Sequence, residues 1–213
     1  MKWLSNPTRF LFFTGKGGVG KTSISTAVAI TLADAGKRVL LVSTDAASNL
    51  DEMLNVKLSN HPIPVPGVKG LELINIDPDD AAQAYRQRVV DQMGTLATQD
   101  KKSAVREQLS GACTTEIASF DEFSSLLADE NSRYDHIIFD TAPSGHTLRL
   151  LSLPKAWSEF LAGNDKGASC LGPHSGLKMQ EARFNQALAA LCNPVKRVLR
   201  QCGSKCGSNA NPL

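Results

Sequence analysis

A glycine-rich octapeptide, GKGGVGKT, spans Gly15–Thr22 and restricts the possible folds more than any other part of the chain. It fits the spacing G-x-x-x-x-G-K-[ST], in which the N–H groups of a tight loop surround a phosphate and the lysine reaches the terminal phosphates. The motif requires a strand before the loop and a helix after it. Arg9–Thr14 (RFLFFT) is mostly apolar, and Ile24, Val28 and Leu32 recur at helical spacing. The sequence therefore predicts a phosphate-binding loop, Gly15–Thr22, between a buried strand and a helix.

Three further apolar runs of strand length follow this phosphate loop, at Arg38–Thr44, Leu71–Ile76 and Tyr134–Asp140. Helical patterns separate them; Asp77 is expected to cap one helix, and residues 80–130 are mainly helical in pattern. Strands that alternate with helices predict right-handed crossovers and a mostly parallel sheet with helices on both faces. We therefore expect the α/β fold of the P-loop nucleoside triphosphatases.

Composition excludes several classes of protein. A formal net charge of +2 is too near neutral to indicate nucleic acid, so no nucleic-acid partner is expected. No apolar run approaches the ~20 residues of a membrane-spanning helix. The N-terminus lacks the apolar region of a secretion signal, and the five cysteines are irregularly spaced. We expect a cytoplasmic protein with free thiols.

The phosphate loop needs a metal ion, an acid and an oriented water for triphosphate hydrolysis. The residues expected to surround the phosphates are Gly15, Gly17, Gly18, Val19, Gly20, Lys21, Thr22 and Ser23. The Thr22 hydroxyl is expected to bind Mg²⁺. Asp140 and Asp45 each end an apolar strand, where ligands of such sheets bind. Asp140 is placed as the Mg²⁺-linked acid and Asp45 as the residue that orients water, the alternative for each being a surface or capping role.

Lys16 is one lysine more than a phosphate loop needs. Lys21 already serves the bound phosphates, and two lysines on one loop repel each other. A second cation is useful where it reaches a nucleotide held by another subunit or half-domain, as an arginine finger does. The alternative is a solvated loop lysine, and the residues alone leave both roles open.

The loop with its extra lysine is the signature of the deviant-Walker-A ATPases, and four other stretches narrow the resemblance. They are LLVSTDAASN (Leu40–Asn49), EQLSGACTTEIASFDEF (Glu107–Phe123), FDTAPSGHTLRLL (Phe139–Leu151) and GASCLGP (Gly167–Pro173). Over about residues 1–193, the chain resembles the arsenical pump-driving ATPases, the catalytic subunits of arsenite and antimonite efflux pumps. The resemblance implies an enzyme that hydrolyses ATP with Mg²⁺ and is activated by As(III) or Sb(III).

The resemblance also implies roles for single residues. Lys16 would reach the nucleotide of a facing half, and Asp45 would be a switch residue near the attacking water. Asp140 would be the Mg²⁺-linked acid that begins a signature ending at His146. That signature would couple metalloid binding to hydrolysis. Lys21 and Thr22 keep the roles derived above.

The resemblance makes Cys113 and Cys170 the metalloid ligands, with His146 as a contributor; the alternative for His146 is a capping or structural role. Trivalent arsenic and antimony are soft and prefer thiolates, as soft metals do. Without the resemblance, the two cysteines would be taken for small buried hydrophobes. The chain departs from the family at Ala46, where a proline usually follows the switch aspartate, and Ser144 keeps a hydroxyl where threonine is common.

The partners that the resemblance implies are an integral membrane arsenite pump subunit, a second ATPase half or another copy of the chain, and an arsenic metallochaperone. The protein would then lie at the inner face of the cell membrane through its pump partner. Two other functions stay open. One is an ATPase that targets tail-anchored membrane proteins, which needs a large hydrophobic groove; the chain has only four methionines, scattered along it. The other is a non-catalytic remnant.

The resemblance stops near Asn193 and Pro194. We expect a partial ATPase domain at residues 1–194 and a disordered tail at residues 195–213, rich in Gly, Ser, Asn and Cys and unlike the family. The hypothesis is a truncated product with an incomplete sheet. Such a sheet would expose an edge where later strands belong, and the chain alone would bind nucleotide weakly and turn over little.

Overall fold

The computed structural model describes residues 4, 6–45, 48–94, 97–129, 132–142, 183, 185–187, 189–191 and 197–202, with the backbone alone at residues 112–113 and 197–202. Ala46, Ser144, His146 and Cys170, singled out above, lie outside these residues, as does the side chain of Cys113. None of the described helices is long and apolar enough to cross a membrane.

A six-stranded sheet forms the centre of the described structure. Its strands are β1 (Phe10–Gly15), β2 (Val39–Ser43), β3 (Ile63–Pro64), β4 (Leu71–Asn75), β5 (His136–Asp140) and β6 (Arg197–Cys202). Their order is β3-β4-β2-β5-β1-β6, and every neighbouring pair is parallel except β3 with β4. The predicted mostly parallel α/β sheet is confirmed.

Five helices connect these strands. They are α1 (Lys21–Asp34), α2 (Leu50–Leu54), α3 (Pro78–Gln92), α4 (Gln99–Gln108) and α5 (Ala112–Ala128). The described residues between 183 and 191 are also helical. Asp77 caps α3 as predicted, by accepting from the N–H groups of Asp79 and Asp80. Gly36, at φ 80°, ends α1.

Two apolar layers cover the two faces of the sheet. On one face, α1 and α2 pack on alternate strand residues such as Leu11, Leu41 and Ile138. On the other face, α3, α5 and the side chains of Ala187, Ala190 and Leu191 pack on the intervening set, where Phe12 and Phe139 stack with ring centroids 4.6 Å apart. β1, β2 and β5 are buried throughout, as strands covered by helices on both faces must be. These three strands therefore have a rigid surrounding for whatever lies at their carboxyl ends.

Strand β6 corrects the expectation of a disordered tail for residues 197–202. It pairs in parallel with β1, from Phe10 with Arg197 to Gly15 with Cys202. That expectation relied on the Gly-, Ser-, Asn- and Cys-rich composition of residues 195–213. An edge strand can form in spite of such a composition, because the free N–H and C=O groups of β1 offer a template to any extended segment. In the described structure, β6 therefore covers the edge of β1.

Candidate nucleotide site

The phosphate loop connects β1 to α1 as the motif requires. Gly18 and Gly20 adopt φ values of 72° and 82°, in the left-handed region that favours glycine. Gly20 precedes α1 and provides no side-chain cap, so the first N–H groups of α1 remain for an anion. A Cβ added at Gly17, Gly18 or Gly20 would meet no atom within 4 Å. The space beside these three glycines is thus open.

The two loop lysines have different environments. Lys21 is buried, with 6% of its surface exposed, and its Nζ donates to the Lys16 carbonyl oxygen at 3.1 Å. This bond holds the ammonium group inside the curve of the loop. Lys16, in contrast, is exposed. The geometry therefore separates an inward cation that serves the loop from an outward cation that is free to contact another molecule.

Asp140 is the most unusual acid of the site. It is fully buried at the end of β5, and neither carboxylate oxygen accepts a well-formed hydrogen bond from the described residues. Burial raises the pKa of Asp140, and the hydroxyl groups of Thr22 and Ser25 and the Lys21 ammonium offset this effect only in part. A buried carboxylate whose desolvation is offset only in part is costly. A divalent cation would satisfy both oxygens, so the residues present fit the Mg²⁺ that the sequence predicts for Thr22 and Asp140.

Asp45 lies near Asp140, as the strand-end argument predicts. Its negative charge is among the causes that raise the pKa of Asp140. The Thr44 N–H donates to the Asp140 carbonyl oxygen at 3.0 Å, and the Ser48 N–H donates to the Asp45 carbonyl oxygen at 3.0 Å. These bonds fix the start of the loop after β2 against the end of β5. The structure thus brings the phosphate loop, Asp45 and Asp140 together.

Sequence reasoning missed three polar residues of this site. Ser25 is fully buried one turn after Thr22, and its hydroxyl donates to the Thr22 carbonyl oxygen at 3.0 Å. Ser43, also fully buried, ends β2 in register with Asp140. The Thr141 hydroxyl donates to the Phe13 carbonyl oxygen at 2.7 Å and ties the ends of β5 and β1. Only Ser25 had a sequence signal, its helical spacing of three residues from Thr22.

The predicted metalloid ligands are not brought together by the described residues. Cys113 belongs to the first turn of α5, but its side chain, like Cys170 and His146, lies outside them. Within the described ranges, no three His, Cys, Asp or Glu side chains form a cluster suited to a metal ion. The metalloid site remains a prediction.

Comparison with known proteins decides the family. Residues 8–200 match the model of the family described as anion-transporting ATPase. The chain belongs to this family. The match runs through most of β6 and past Pro194, while the domain boundary expected at residue 194 stays a prediction.

Members of several kinds are similar to the chain. An arsenical pump-driving ATPase of Escherichia coli is 58% identical over 198 residues, which cover 92% of the chain and 34% of that relative. A putative arsenical pump-driving ATPase of Halobacterium salinarum is 40% identical, over 88% of the chain and 28% of the relative. The ATPase GET3 of Komagataella phaffii is 34% identical, over 78% and 50%. The chain thus spans about a third of the E. coli relative.

Proposed function

We propose that the chain is the N-terminal part of the first nucleotide-binding half of an ATP-hydrolysing subunit that drives arsenite or antimonite efflux. The observation that carries the ATPase proposal is the buried Asp140 carboxylate, which accepts no well-formed hydrogen bond from the described residues and lies close to Thr22 and to the inward Lys21 of the phosphate loop. The efflux proposal is supported by the names of the similar relatives in E. coli and H. salinarum.

In this proposal, each residue of the site performs one task. The loop N–H groups and Lys21 bind the β- and γ-phosphates of ATP, and Thr22 and Asp140 hold Mg²⁺. When bound, Mg²⁺ neutralises negative charge on the phosphate oxygens. Asp45 orients the attacking water, and Ser43 fixes the backbone of Asp45, whose N–H lies 3.4 Å from the Ser43 hydroxyl oxygen. The products are ADP and phosphate.

The exposed Lys16 is proposed to act on a nucleotide bound outside this chain. An exposed cation on the phosphate loop can reach a nucleotide bound by a facing ATPase half or by another copy of the chain, and stabilise negative charge in its transition state. The other proposed partners are the integral membrane pump subunit and an arsenic metallochaperone. Through the pump, the chain would lie at the inner face of the membrane.

Activation is proposed to depend on thiols. Cys113 and Cys170, with His146, would bind As(III) or Sb(III), and the signature from Asp140 to His146 would transmit binding to the Mg²⁺ site. Soft trivalent metalloids favour thiolate ligands, which supports the two cysteines over the many carboxylates of the chain. This ligand set rests on the family resemblance.

Nucleotide binding and hydrolysis test the proposal separately. A fluorescent ATP analogue is titrated into the chain with and without Mg²⁺, and into the Asp140→Asn variant. We expect Mg²⁺ to strengthen binding to the parental chain and to have little effect on the variant. Phosphate release is then measured with and without antimonite, for the chain alone and mixed with a separately produced second half. A phosphate loop that stays empty at millimolar Mg²⁺-ATP, even beside the second half, contradicts the proposal.

The same assays address the two alternatives. Nucleotide binding without hydrolysis in any mixture would favour a non-catalytic remnant. A targeting ATPase for tail-anchored proteins needs a large hydrophobic groove. Across the described part of the chain, the exposed large apolar side chains are Ile24, 40% exposed, and Met53, 42% exposed. Two separate side chains do not form such a groove within the described residues, and the efflux ATPase is preferred because of the names of the similar relatives in E. coli and H. salinarum.

A further inference from the structure

The edge strand β3 lies in a segment with prolines at alternate positions, HPIPVPG (His61–Gly67). β3 pairs antiparallel with β4 and is the last strand on its side of the described sheet. An exposed edge of this kind normally presents free N–H and C=O groups, which another strand can use. The alternate prolines reduce the number of main-chain N–H donors that this edge presents.

The hydrogen bonds of the β3–β4 ladder show which groups face outward. The Val65 N–H donates to the Leu71 carbonyl oxygen at 3.0 Å, toward β4. Ile63 pairs with Leu73 two residues earlier in the same register. Main-chain groups of successive strand residues point to opposite edges, so residues 62 and 64 point away from β4. Both are prolines, which have no N–H to donate.

The third proline of the segment belongs to a turn. The Val68 N–H donates to the Val65 carbonyl oxygen at 3.2 Å, and Gly67 has a φ of 77°. Pro66 and Gly67 thus occupy the two central positions that suit a type II turn. The outer edge ends at this turn, and from Pro62 to Pro66 it presents main-chain acceptors without a main-chain donor.

The inward side chains hold β3 in place independently of the prolines. Val65 is buried among the apolar residues on the α1 face, and the half-buried Ile63 packs against the same cluster. Pro62 and Pro64 are exposed. Replacing the two prolines therefore changes the outer edge and removes no core side chain.

We infer that Pro62 and Pro64 close the β3 edge to strand addition, by a second copy of this chain above all. An incoming strand would find no N–H donors for its own carbonyl groups. Each carbonyl left unpaired in the new interface would weaken association by the free energy of a lost hydrogen bond. Assembly with another copy or half must then use other surfaces. The inference holds whether or not the chain is an ATPase.

The test restores the two donors and measures association. The double variant P62V/P64V is compared with the parental chain and with P7V/P78V, which makes the same chemical change at two positions outside β3. Sedimentation velocity across a wide concentration range reports the assembly state, and circular dichroism reports folding. We expect a concentration-dependent loss of the parental species for P62V/P64V alone, accompanied by slower hydrogen exchange in residues 61–66.

A second variant distinguishes strand pairing from nonspecific hydrophobic association. P62T/P64T restores the same donors with less added apolar surface, and it should associate as P62V/P64V does. If a double variant does not fold, the single substitutions P62T and P64T are measured by the same criteria. The inference is overturned if folded edge variants sediment like the parental chain at every concentration, or if P7V/P78V associates equally.

Discussion

At the scale of the residue, Asp140 is a candidate metal ligand whose burial lowers the stability of the folded protein. The carboxylate is fully buried, accepts no well-formed hydrogen bond from the described residues, and has a pKa that burial raises more than Thr22, Ser25 and Lys21 lower it. A surface aspartate at the end of β5 would be more stable but could not be pre-positioned beside Lys21 and Thr22. The cost indicates a site arranged for a cation.

Replacing Asp140 by asparagine should stabilise the free protein at neutral pH. Because the folded-state pKa is raised, ionisation disfavours the folded state as pH increases from the unfolded pKa through the folded pKa. The neutral amide avoids this loss, so at pH 7 we expect a free energy of unfolding higher by on the order of 1 kcal/mol. Urea unfolding over a range of pH measures the difference, which should vanish below the unfolded pKa. A variant less stable than the parental chain at pH 7 would contradict the assignment.

Two glycines of the phosphate loop should respond differently to alanine. Gly20 has a φ of 82°, so Gly20→Ala should strain the backbone by roughly 1–2 kcal/mol. Gly17 has no positive φ, and its added Cβ would meet no atom within 4 Å, so Gly17→Ala is the matched control and should keep its melting temperature. Thermal unfolding measures both. We expect both variants to weaken nucleotide binding. In Gly17→Ala, the reason is that the added methyl group would enter the space that the phosphates need.

At the scale of the element, one buried carboxylate joins three helical segments. Asp121 of α5 accepts from Arg88 Nη2 of α3 at 2.7 Å and from Arg183 Nη1 at 3.0 Å. Its side chain is 3% exposed, whereas the two arginines are 45% and 39% exposed. Burial is the main cause that raises the Asp121 pKa, and the arginines oppose it. The pairs therefore compensate a desolvated charge and fix how α5 docks on α3.

Removing this carboxylate should loosen the helical face locally. Asp121→Ala leaves two arginines without their shared partner. Breaking fully buried pairs costs about 3–5 kcal/mol, and the exposure of the arginines reduces the expected cost to roughly 1–3 kcal/mol. Hydrogen exchange should accelerate most at residues 185–191 and in α5, and least in α1. The control is Glu122→Ala, which removes only the more exposed pair with Arg88 and should cost less than about 1 kcal/mol. Equal effects of the two substitutions would rule out a special role for Asp121.

At the scale of the whole molecule, the two sides of the described sheet end in different kinds of edge strand. On one side, β3 presents prolines outward. On the other, β6 pairs with β1 along its whole length, beside the strand that leads into the phosphate loop. Because β1 lies between β5 and β6, the position of the loop depends on both neighbours.

Truncation after residue 196 should therefore weaken β1. It removes β6 and leaves the β1 edge unpaired, so amide hydrogen exchange in Phe10–Gly15 should accelerate and self-association should increase. Hydrogen exchange and light scattering measure the two effects. Truncation after residue 203, which keeps β6, is the control. Unchanged hydrogen exchange in β1 after truncation at residue 196 would show that β6 contributes nothing to the stability of β1.

The local sequence determined the phosphate loop, the strand before it, the helix after it and the acids at the ends of β2 and β5. Glycine spacing, apolar runs and the cap at Asp77 act through neighbouring residues, so these elements can be predicted from the local sequence. The strand at residues 197–202, the burial of Ser43 and the burial of the Asp140 carboxylate arise only in the folded molecule. These features depend on which distant segments meet: a strand forms where another strand leaves an edge, and a carboxylate loses its water only when the sheet and α1 close around it.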